Sequence, residues 1–361
     1  MKIVDARTRA VAVPLERPFL AGGLHMIERI PFALLELRTD EGITGLGYAF
    51  SLSERPFGSI VAATDALSQE AVGENPLEPE RVAAKLGRAF GWAGPVGVVN
   101  MAMAAVDFAL WDIAGKAYGQ PLYRLLGGHR DRVPCYYSGA LWRDFGLEEL
   151  EGAARAVLDL GFRSMKMRMG SEPPRGEEER ARVVREAIGP EADLLVDINQ
   201  GWTPYHAIRM GRMLERYEFG WLEDPVDHRD VAGSARVAAA LDMPVCAGEY
   251  HYGKEPFLRL LNAQAMDIAM VDLLRVGGVT EWRKAAALAE TFTVPVASHL
   301  LPEIAVHLVA AVPNGLTVEY MPWSLPLFLE TPRVQDGMMV LPHAPGLGLE
   351  LDEEKVARWS I

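Results

Sequence analysis

The feature that most constrains the fold is a strand–loop–helix rhythm that begins near residue 129 and has eight beats. Each beat opens with a short apolar run that ends in a polar residue. These end residues are Ser138, Lys166, Asp197, Glu223, Glu249, Asp272, His299 and Glu319. They lie 20–31 residues apart, and each gap contains a helical pattern. Eight strand ends with seven helical connections predict a TIM-like (β/α) barrel, with these residues at one mouth.

The residues before this rhythm predict a different, α+β arrangement. The N-terminal runs alternate with period two, and the turn Asp40–Gly42 joins two of them. Helical patterns follow over 58–72 and 100–117. We therefore expect an α/β fold, a modified TIM (β/α) barrel with an N-terminal α+β capping domain that the Pro-rich C-terminal tail completes. The predicted divisions are 1–128 for the cap, 129–325 for the barrel and 326–361 for the tail.

Charge and cysteine content exclude several kinds of partner. The chain has 49 acidic and 36 basic residues and a net charge of −13, which disfavours nucleic acid and anionic membranes. Its most apolar helical segment is interrupted by Asp107 and Asp112, so no membrane span is expected. With only Cys135 and Cys246, a disulfide framework is excluded, which indicates either a reducing compartment or no dependence on the compartment. A cytoplasmic location is expected. A small anionic substrate requires positive charge within the site.

Three consecutive beats end in an acid: Asp197, Glu223 and Glu249. Carboxylates that converge at one barrel mouth repel one another unless a cation compensates them. Oxygen ligands alone favour a hard ion, so the pattern predicts Mg²⁺, with Mn²⁺ as the alternative. Each acid taken singly also fits a helix cap or a salt bridge.

The next two beats place Asp272 beside His299, a pair suited to a general base or acid. Lys166 and Arg168 lie two residues apart and so face the same side of one strand. Inward cations call for an anion, and a substrate carboxylate is the predicted partner. The alternatives are a structural histidine and two surface cations.

The last beat, Glu319, allows two interpretations. It is either a protonated acid that donates a hydrogen bond to a substrate oxygen or a salt-bridge partner of Lys166 or Arg168. Together these residues predict removal of the proton next to a substrate carboxylate, with the metal and Lys166 stabilising the enediolate.

Longer motifs show that the chain resembles the mandelate racemase branch of the enolase superfamily over essentially its whole length. The motifs are the run Ala105–Lys116 and the segments PLYRLLGG, MKMRMG, VDINQ, WLEDP, AGE, VDLLRVGGVT and SHLLPEIAVHL. The set is specific, although no single segment is.

The resemblance implies roles for individual residues. The implied Mg²⁺ ligands are Asp197, Glu223 and Glu249, the acid–base dyad is Asp272 and His299, and the electrophilic acid is Glu319. Lys166 matches the family lysine that contacts the substrate carboxylate. Asn199 matches the family amide that lies near the α-hydroxyl of the substrate. The muconate-lactonizing branch has a lysine where this chain has Asp272, which argues against that branch.

One position departs from the racemase pattern. Where the racemase has a second lysine, its base on the opposite face, this chain has Arg168. Racemisation needs a base on each face of the carbanion, and arginine is not readily deprotonated. The pattern therefore favours a lyase, which dehydrates a sugar acid to a 2-keto-3-deoxy acid with His299 as the base. The alternatives are a racemase or epimerase of a 2-hydroxy acid and a non-catalytic barrel that binds a carboxylate.

The substrate contacts are less constrained by sequence. The predicted contacts are Ser138 and Tyr250 in the barrel and His25 and Tyr48 in the cap. A lid over Leu20–His25, with Gly22 and Gly23 as hinge residues, is also expected. The resemblance further implies a homo-oligomer, from dimer to octamer.

Overall fold

A computed structural model describes residues 1–21, 25–94 and 96–361, and the side chains of Ala21 and His25 lie outside that description. The predicted hinge glycines, Gly22 and Gly23, and the predicted substrate contact of His25 therefore fall outside the described residues.

The N-terminal part is an antiparallel sheet covered by helices. The strands, in sheet order, are β1 (Ile3–Ala21), β2 (His25–Thr39) and β3 (Thr44–Phe50). The helices are α1 (Glu54–Ala71), α2 (Pro79–Ala89), α3 (Val98–Tyr118) and α4 (Leu122–Leu125). Helices α1 and α3 match the two predicted patterns, whereas α2 was not predicted. It buries only Val82 and Leu86, too short an apolar stripe to stand out in the sequence.

Two glycines set how closely the cap elements pack. Gly45 and Gly47 lie on β3, where a β-carbon would overlap the carbonyl oxygens of Ala109 and Ala105 on α3. The absence of side chains lets the strand lie directly on the helix. Helix α3 is long and apolar enough to span a membrane by length and composition, yet 72% of its most apolar window is buried inside the protein. We therefore interpret α3 as a core helix.

The central part is a closed parallel barrel. Its strands are β4 (Arg132–Tyr137), β5 (Ser164–Arg168), β6 (Asp193–Asp197), β7 (Phe219–Glu223), β8 (Val245–Ala247), β9 (Ile268–Asp272), β10 (Val296–His299) and β11 (Gly315–Tyr320). Each pairs with the next, and β11 pairs with β4 to close the ring. The predicted barrel with an N-terminal cap is thus confirmed.

Helices connect the barrel strands and cover the outside of the ring. They are α5 (Leu147–Asp159), α6 (Pro174–Ile188), α7 (Pro204–Leu214), α8 (Val231–Ala238), α9 (Glu255–Asn262), α10 (Leu273–Val276), α11 (Val279–Thr291) and α12 (Pro302–Ala311), with 3₁₀ turns at Glu215–Tyr217 and Leu325–Leu327. Capping residues determine where these helices begin and end. The Thr203 hydroxyl accepts from the His206 N–H to cap α7, and Gly161 follows α5 with a φ of +88°.

The C-terminal residues contact both other parts. A hairpin of β12 (Val334–Gln335) and β13 (Met338–Val340) pairs with β4, and helix α13 (Glu353–Arg358) follows. The buried Asp112 of α3 accepts hydrogen bonds from the backbone N–H groups of Leu46 and Leu347. One carboxylate therefore joins β3, α3 and the tail, and the Trp359 carbonyl accepts a hydrogen bond from the Ala12 N–H of β1.

Candidate active site

The strand register brings the predicted residues to the carboxyl ends of neighbouring strands. Asp197 is the register partner of Arg168 on one side and of Glu223 on the other. Asp272 and His299 are register partners on β9 and β10. Side chains at paired positions of parallel strands face the same side of the sheet, so the rhythm of the sequence becomes a ring of polar groups.

Glu249 reaches the same edge by a turn rather than from within a strand. It follows β8 after Gly248, whose φ is +137°. A β-carbon at this glycine would lie 2.5 Å from the Met270 carbonyl oxygen, so no other residue fits without a shift. In the AGE segment, close backbone packing thus requires the glycine, and the glutamate contributes to the site.

The three predicted metal acids are buried, and a lysine compensates two of them. Asp197, Glu223 and Glu249 are 1%, 0% and 3% exposed. Lys166 Nζ lies 2.7 Å from Glu223 Oε1 and 3.6 Å from Asp197 Oδ2. Burial opposes the charged form, but the surrounding carboxylates raise the pKa of Lys166 well above its ordinary value. The ammonium therefore supplies positive charge that Asp197 and Glu223 need in a dry environment.

The donor chemistry of these acids fits a hard divalent ion. All three offer oxygen alone, and Glu249 Oε2 is buried without accepting a hydrogen bond, although it lies 3.1 Å from His299 Nε2. Within the described residues, no three acids, histidines or cysteines are already arranged to hold a metal ion. Lys166 contacts Glu223 instead, and His299 contacts Glu249. A bound ion would therefore compete with Lys166 for Glu223 and with His299 for Glu249.

The dyad has the geometry of an oriented base. His299 Nδ1 lies 2.5 Å from Asp272 Oδ2, and the other oxygen of Asp272 accepts from the Arg275 N–H at 2.6 Å. Burial would raise the pKa of Asp272, but Arg275 and His299 outweigh it and lower that pKa. With Nδ1 directed to a carboxylate, Nε2 is the nitrogen that faces the other acids of the site.

The charges around His299 favour its protonated form. Burial alone would lower its pKa, yet the negative charge of Glu249 and the hydrogen bond with Asp272 raise it above the ordinary value. A proton taken up at Nε2 is thus stabilised by the same groups that orient the ring.

Of the two interpretations of Glu319, the ion pair is the one observed. Its Oε1 lies 2.8 Å from Lys166 Nζ and accepts from the Ser138 hydroxyl at 2.6 Å, and its Oε2 accepts from the Leu300 N–H at 2.7 Å. Burial opposes ionisation, but Lys166 and His299 outweigh it and lower the pKa of Glu319 to about 2. The predicted role of Glu319 as a hydrogen-bond donor remains a prediction.

Arg168 is held as a hydrogen-bond donor. Its Nη1 donates to the Ser138 carbonyl at 2.8 Å and its Nη2 to the Ser138 hydroxyl at 3.0 Å. The guanidinium lies 3.9 Å from the centre of the Trp142 ring. Two hydrogen bonds to Ser138 and the contact with the Trp142 ring therefore fix this side chain at the edge of the site.

Three residues of the site were not predicted. Asp224 is buried beside Glu223 with Oδ2 unpartnered among the described residues, and Arg275 donates to the Glu249 carbonyl at 2.9 Å. Arg143, between β4 and α5, donates to Asn199 Oδ1 at 2.8 Å. Asp224 lies in the WLEDP motif and Arg275 in the VDLLRVGGVT motif, so the sequence contained a signal for both residues. A single loop arginine carries no comparable signal.

The backbone just beyond the strand ends is strained. Asn199, Asp224 and Leu300 have φ values of +44°, +37° and +54°, although none is glycine. Each follows a predicted acid or base by one or two residues. Such conformations are costly and persist where the surrounding structure holds them, as at functional sites.

The remaining predicted substrate contacts are separated in space. The Asn199 amide donates to Asp197 Oδ2 at 2.8 Å and so lies at the acids. Tyr250 has Arg275 5.2 Å from its ring centre and His228 stacked on its ring. Tyr48, by contrast, is fully buried in the cap, with its hydroxyl hydrogen-bonded to Glu303 of α12. Its predicted role as a substrate contact remains a prediction.

Two family models match this chain. The N-terminal domain of mandelate racemase / muconate lactonizing enzymes matches residues 3–127, and the enolase C-terminal domain-like model matches residues 149–355. Together they cover the cap and nearly all of the barrel.

Relatives with known activities extend the match to whole chains. L-talarate/galactarate dehydratase of Salmonella typhimurium is 34% identical over 94% of this chain and 85% of its own. The structure of L-talarate dehydratase from Polaromonas sp. JS666 with Mg and L-glucarate has a TM-score of 0.95, 32% identity and coverage of 100% and 97%. A racemase from Streptomyces coelicolor A3(2) with bound magnesium has a TM-score of 0.95, 28% identity and coverage of 99% and 100%.

Proposed function

The chain belongs to the mandelate racemase / muconate lactonizing enzyme family of the enolase superfamily, and on that premise we propose that it dehydrates a sugar acid to a 2-keto-3-deoxy acid. The family is one of dehydratases, cycloisomerases and racemases or epimerases. The choice among these reactions rests on the number of bases at the site.

The observation that carries the proposal is the contrast between His299 and Arg168. His299 has an orienting carboxylate and a ring nitrogen that faces the site. Arg168 uses both terminal nitrogens to hold Ser138, and a guanidinium is a poor proton acceptor. A site with one base supports proton removal followed by loss of a leaving group more readily than inversion.

In the proposed reaction His299 Nε2 takes the proton from C2 of the substrate, and Asp272 stabilises the imidazolium. Lys166 stabilises the charge that develops on the carboxylate oxygens as the enediolate forms. The C3–oxygen bond then breaks. The departing hydroxyl takes the proton from His299 and leaves as water, and the resulting enol becomes a C2 ketone with a new proton on C3.

A divalent ion would complete this arrangement. Held by Asp197, Glu223 and Glu249, Mg²⁺, or Mn²⁺ in its place, would supply further positive charge to the substrate carboxylate. We also propose that the enzyme works as a cytoplasmic homo-oligomer, from dimer to octamer. In this assignment residues 1–128 form the cap, 129–325 the catalytic barrel and 326–361 the segment that completes the cap.

A racemase or epimerase is the second candidate, supported by the similarity to the Streptomyces coelicolor racemase. It requires a proton donor on the face opposite His299. Lys166 is an amine of the site, but three carboxylates engage its ammonium.

The test is a screen of the purified protein with Mg²⁺ against a library of sugar acids and aryl 2-hydroxy acids. The formation of a 2-keto-3-deoxy product from one sugar acid supports the proposal. An inverted 2-hydroxy acid without loss of water supports the racemase. Binding of acids without turnover of any of them supports a non-catalytic barrel.

A further inference from the structure

Two arginines beside the site have no carboxylate partner within the described residues. Arg143 and Arg168 form no salt bridge there, although Lys166 next to them contacts three carboxylates. Arg168 is 8% exposed and Arg143 is half-buried. Partly buried cations are costly to leave without an opposing charge, so their position calls for an anion from outside the protein.

Arg143 is fixed in place with one end of its guanidinium unused. Nε donates to the Met169 carbonyl at 2.7 Å and Nη2 donates to Asn199 Oδ1 at 2.8 Å. Nη1 donates no hydrogen bond within the part of the chain that the structure describes. A guanidinium held by two of its nitrogens presents its remaining N–H groups in a defined direction, which suits an oxyanion.

The position of Arg143 relative to the acids separates it from the carboxylate subsite. Asn199 bridges the two, since its amide nitrogen donates to Asp197 and its amide oxygen accepts from Arg143. Arg143 therefore lies one side chain further from Asp197 than Asn199 does. A substrate carboxylate at Lys166 and the metal acids leaves Arg143 for a group further along the same molecule.

We propose that Arg143 binds a second anionic group at the far end of the sugar acid, so that the substrate is a dianion. The group is a carboxylate, as in an aldaric acid, or a terminal phosphate. This inference rests on the proposed function for the position of the first carboxylate. It assigns to Arg143 a role in specificity and none in proton transfer.

The test measures binding separately from turnover. Calorimetric titrations with Mg²⁺ present would compare an aldaric acid, the aldonic acid of the same configuration and its terminal phosphate, over several configurations. The wild-type protein is expected to bind a dianion at least 10-fold more tightly than its matched aldonic acid. Arg143→Met is expected to weaken dianion binding roughly 10- to 100-fold, the range for a lost hydrogen bond to a charged group, and to leave the aldonic acid within about threefold.

Control variants separate specificity from structure. Arg130→Met removes an arginine side chain just before β4, at the opposite end of the barrel, whose one described hydrogen bond goes to the Pro313 carbonyl. It should bind both acids like the wild type. Arg143→Lys should restore part of the preference for the dianion. The difference between the carboxylate and phosphate ligands identifies which group the subsite takes.

The outcomes that overturn the inference are distinct from failure of the proposed function. If Arg143→Met weakens the binding of the dianion and of the aldonic acid equally, Arg143 only positions Asn199. If the wild-type protein binds no dianion more tightly than its aldonic acid, the subsite is also overturned. A dianion preference that disappears in Arg143→Met, without keto product from any acid, would support the subsite and contradict the dehydratase.

Discussion

His299 and Asp272 are paired twice, once by backbone register on β9 and β10 and once by the 2.5 Å contact between Nδ1 and Oδ2. The barrel thus orients the base through its own strand pairing. Neither side chain needs a mobile loop to reach the other. This is the relationship on which the proposed chemistry depends most, because it fixes which imidazole nitrogen faces the substrate.

Removing the base should abolish turnover. His299→Asn is expected to lower kcat by 10³-fold or more, and Asp272→Asn by roughly 10²–10⁴-fold, since each removes proton transfer or its orientation. Steady-state formation of keto product measures both. His343→Gln, at an exposed position in the tail, is the matched control and should retain wild-type rates. Substantial turnover by His299→Asn would contradict the assignment.

Arg168 should tolerate a cation but not a neutral residue. Arg168→Lys keeps the charge beside Ser138 and is expected to leave dehydration broadly intact, within about 10-fold. Arg168→Ala loses the charge and both hydrogen bonds to Ser138, so we expect a larger loss in kcat/KM. Kinetics with one sugar acid compare the two. Full activity in both Arg168→Ala and His299→Asn would show that the scheme is wrong.

Removal of the metal should inactivate the enzyme reversibly. Treatment with a chelator is expected to abolish keto product, and added Mg²⁺ should restore it. Calorimetric Mg²⁺ binding should weaken at least 10-fold in Glu249→Gln, because Glu249 loses a ligand oxygen that is buried without a hydrogen bond. Glu290→Gln, at an exposed position on α11, is the control. Unchanged Mg²⁺ binding in Glu249→Gln would remove that residue from the ligand set.

The buried His307 should make the fold sensitive to acid. Its Nδ1 accepts from the Tyr123 N–H at 3.2 Å and its Nε2 donates to the Leu347 carbonyl at 3.0 Å, so the neutral ring is the form that fits. Burial lowers its pKa to about 4, whereas the unfolded chain takes up the proton near pH 6.5. The unfolded state therefore binds more protons between these values, and stability falls as pH drops from 6.5 to 4.

The size of this effect is on the order of 3 kcal/mol, from the difference between the two pKa values. Urea unfolding at several pH values should show it in the wild type and a flatter profile in His307→Gln. The exposed His343→Gln should keep the wild-type profile. A profile in His307→Gln as steep as that of the wild type would assign the acid sensitivity to other groups.

Tyr48 distinguishes a structural contact from a substrate contact. The Tyr48→Phe substitution removes a hydrogen bond to the buried Glu303, so we expect a loss of about 1–3 kcal/mol in the free energy of unfolding. Urea unfolding and KM are measured on the same variant. A large increase in KM with unchanged stability would instead support the predicted substrate contact.

The barrel and the identity of its polar ring could be predicted from sequence because strand ends carry their chemistry in order. Asp197, Glu223 and Asp272 each close a short apolar run, and parallel pairing then brings them together. What could not be predicted depends on where long side chains reach. Lys166 contacting Glu319, and Arg143 contacting Asn199, involve residues 153 and 56 apart in sequence, and no local pattern encodes such pairs.

Backbone geometry was the other unpredictable part. The left-handed conformations of Asn199, Asp224 and Leu300 break the usual preference for glycine at positive φ. The surrounding contacts hold them, including the hydrogen bond from the Leu300 N–H to Glu319. Tyr48 shows the same limit for side chains, since an aromatic residue on a cap strand is equally compatible with a pocket wall and with the buried position observed.

The most direct test of the proposed chemistry is the reaction of one active sugar acid in D₂O, followed by NMR of both product and recovered substrate. A one-base dehydratase predicts a 2-keto-3-deoxy product with one deuterium at C3 and recovered substrate of unchanged configuration at C2. His299→Asn should give neither product nor exchange. Recovered substrate that is inverted and deuterated at C2, without keto product, would contradict the account and identify a second base.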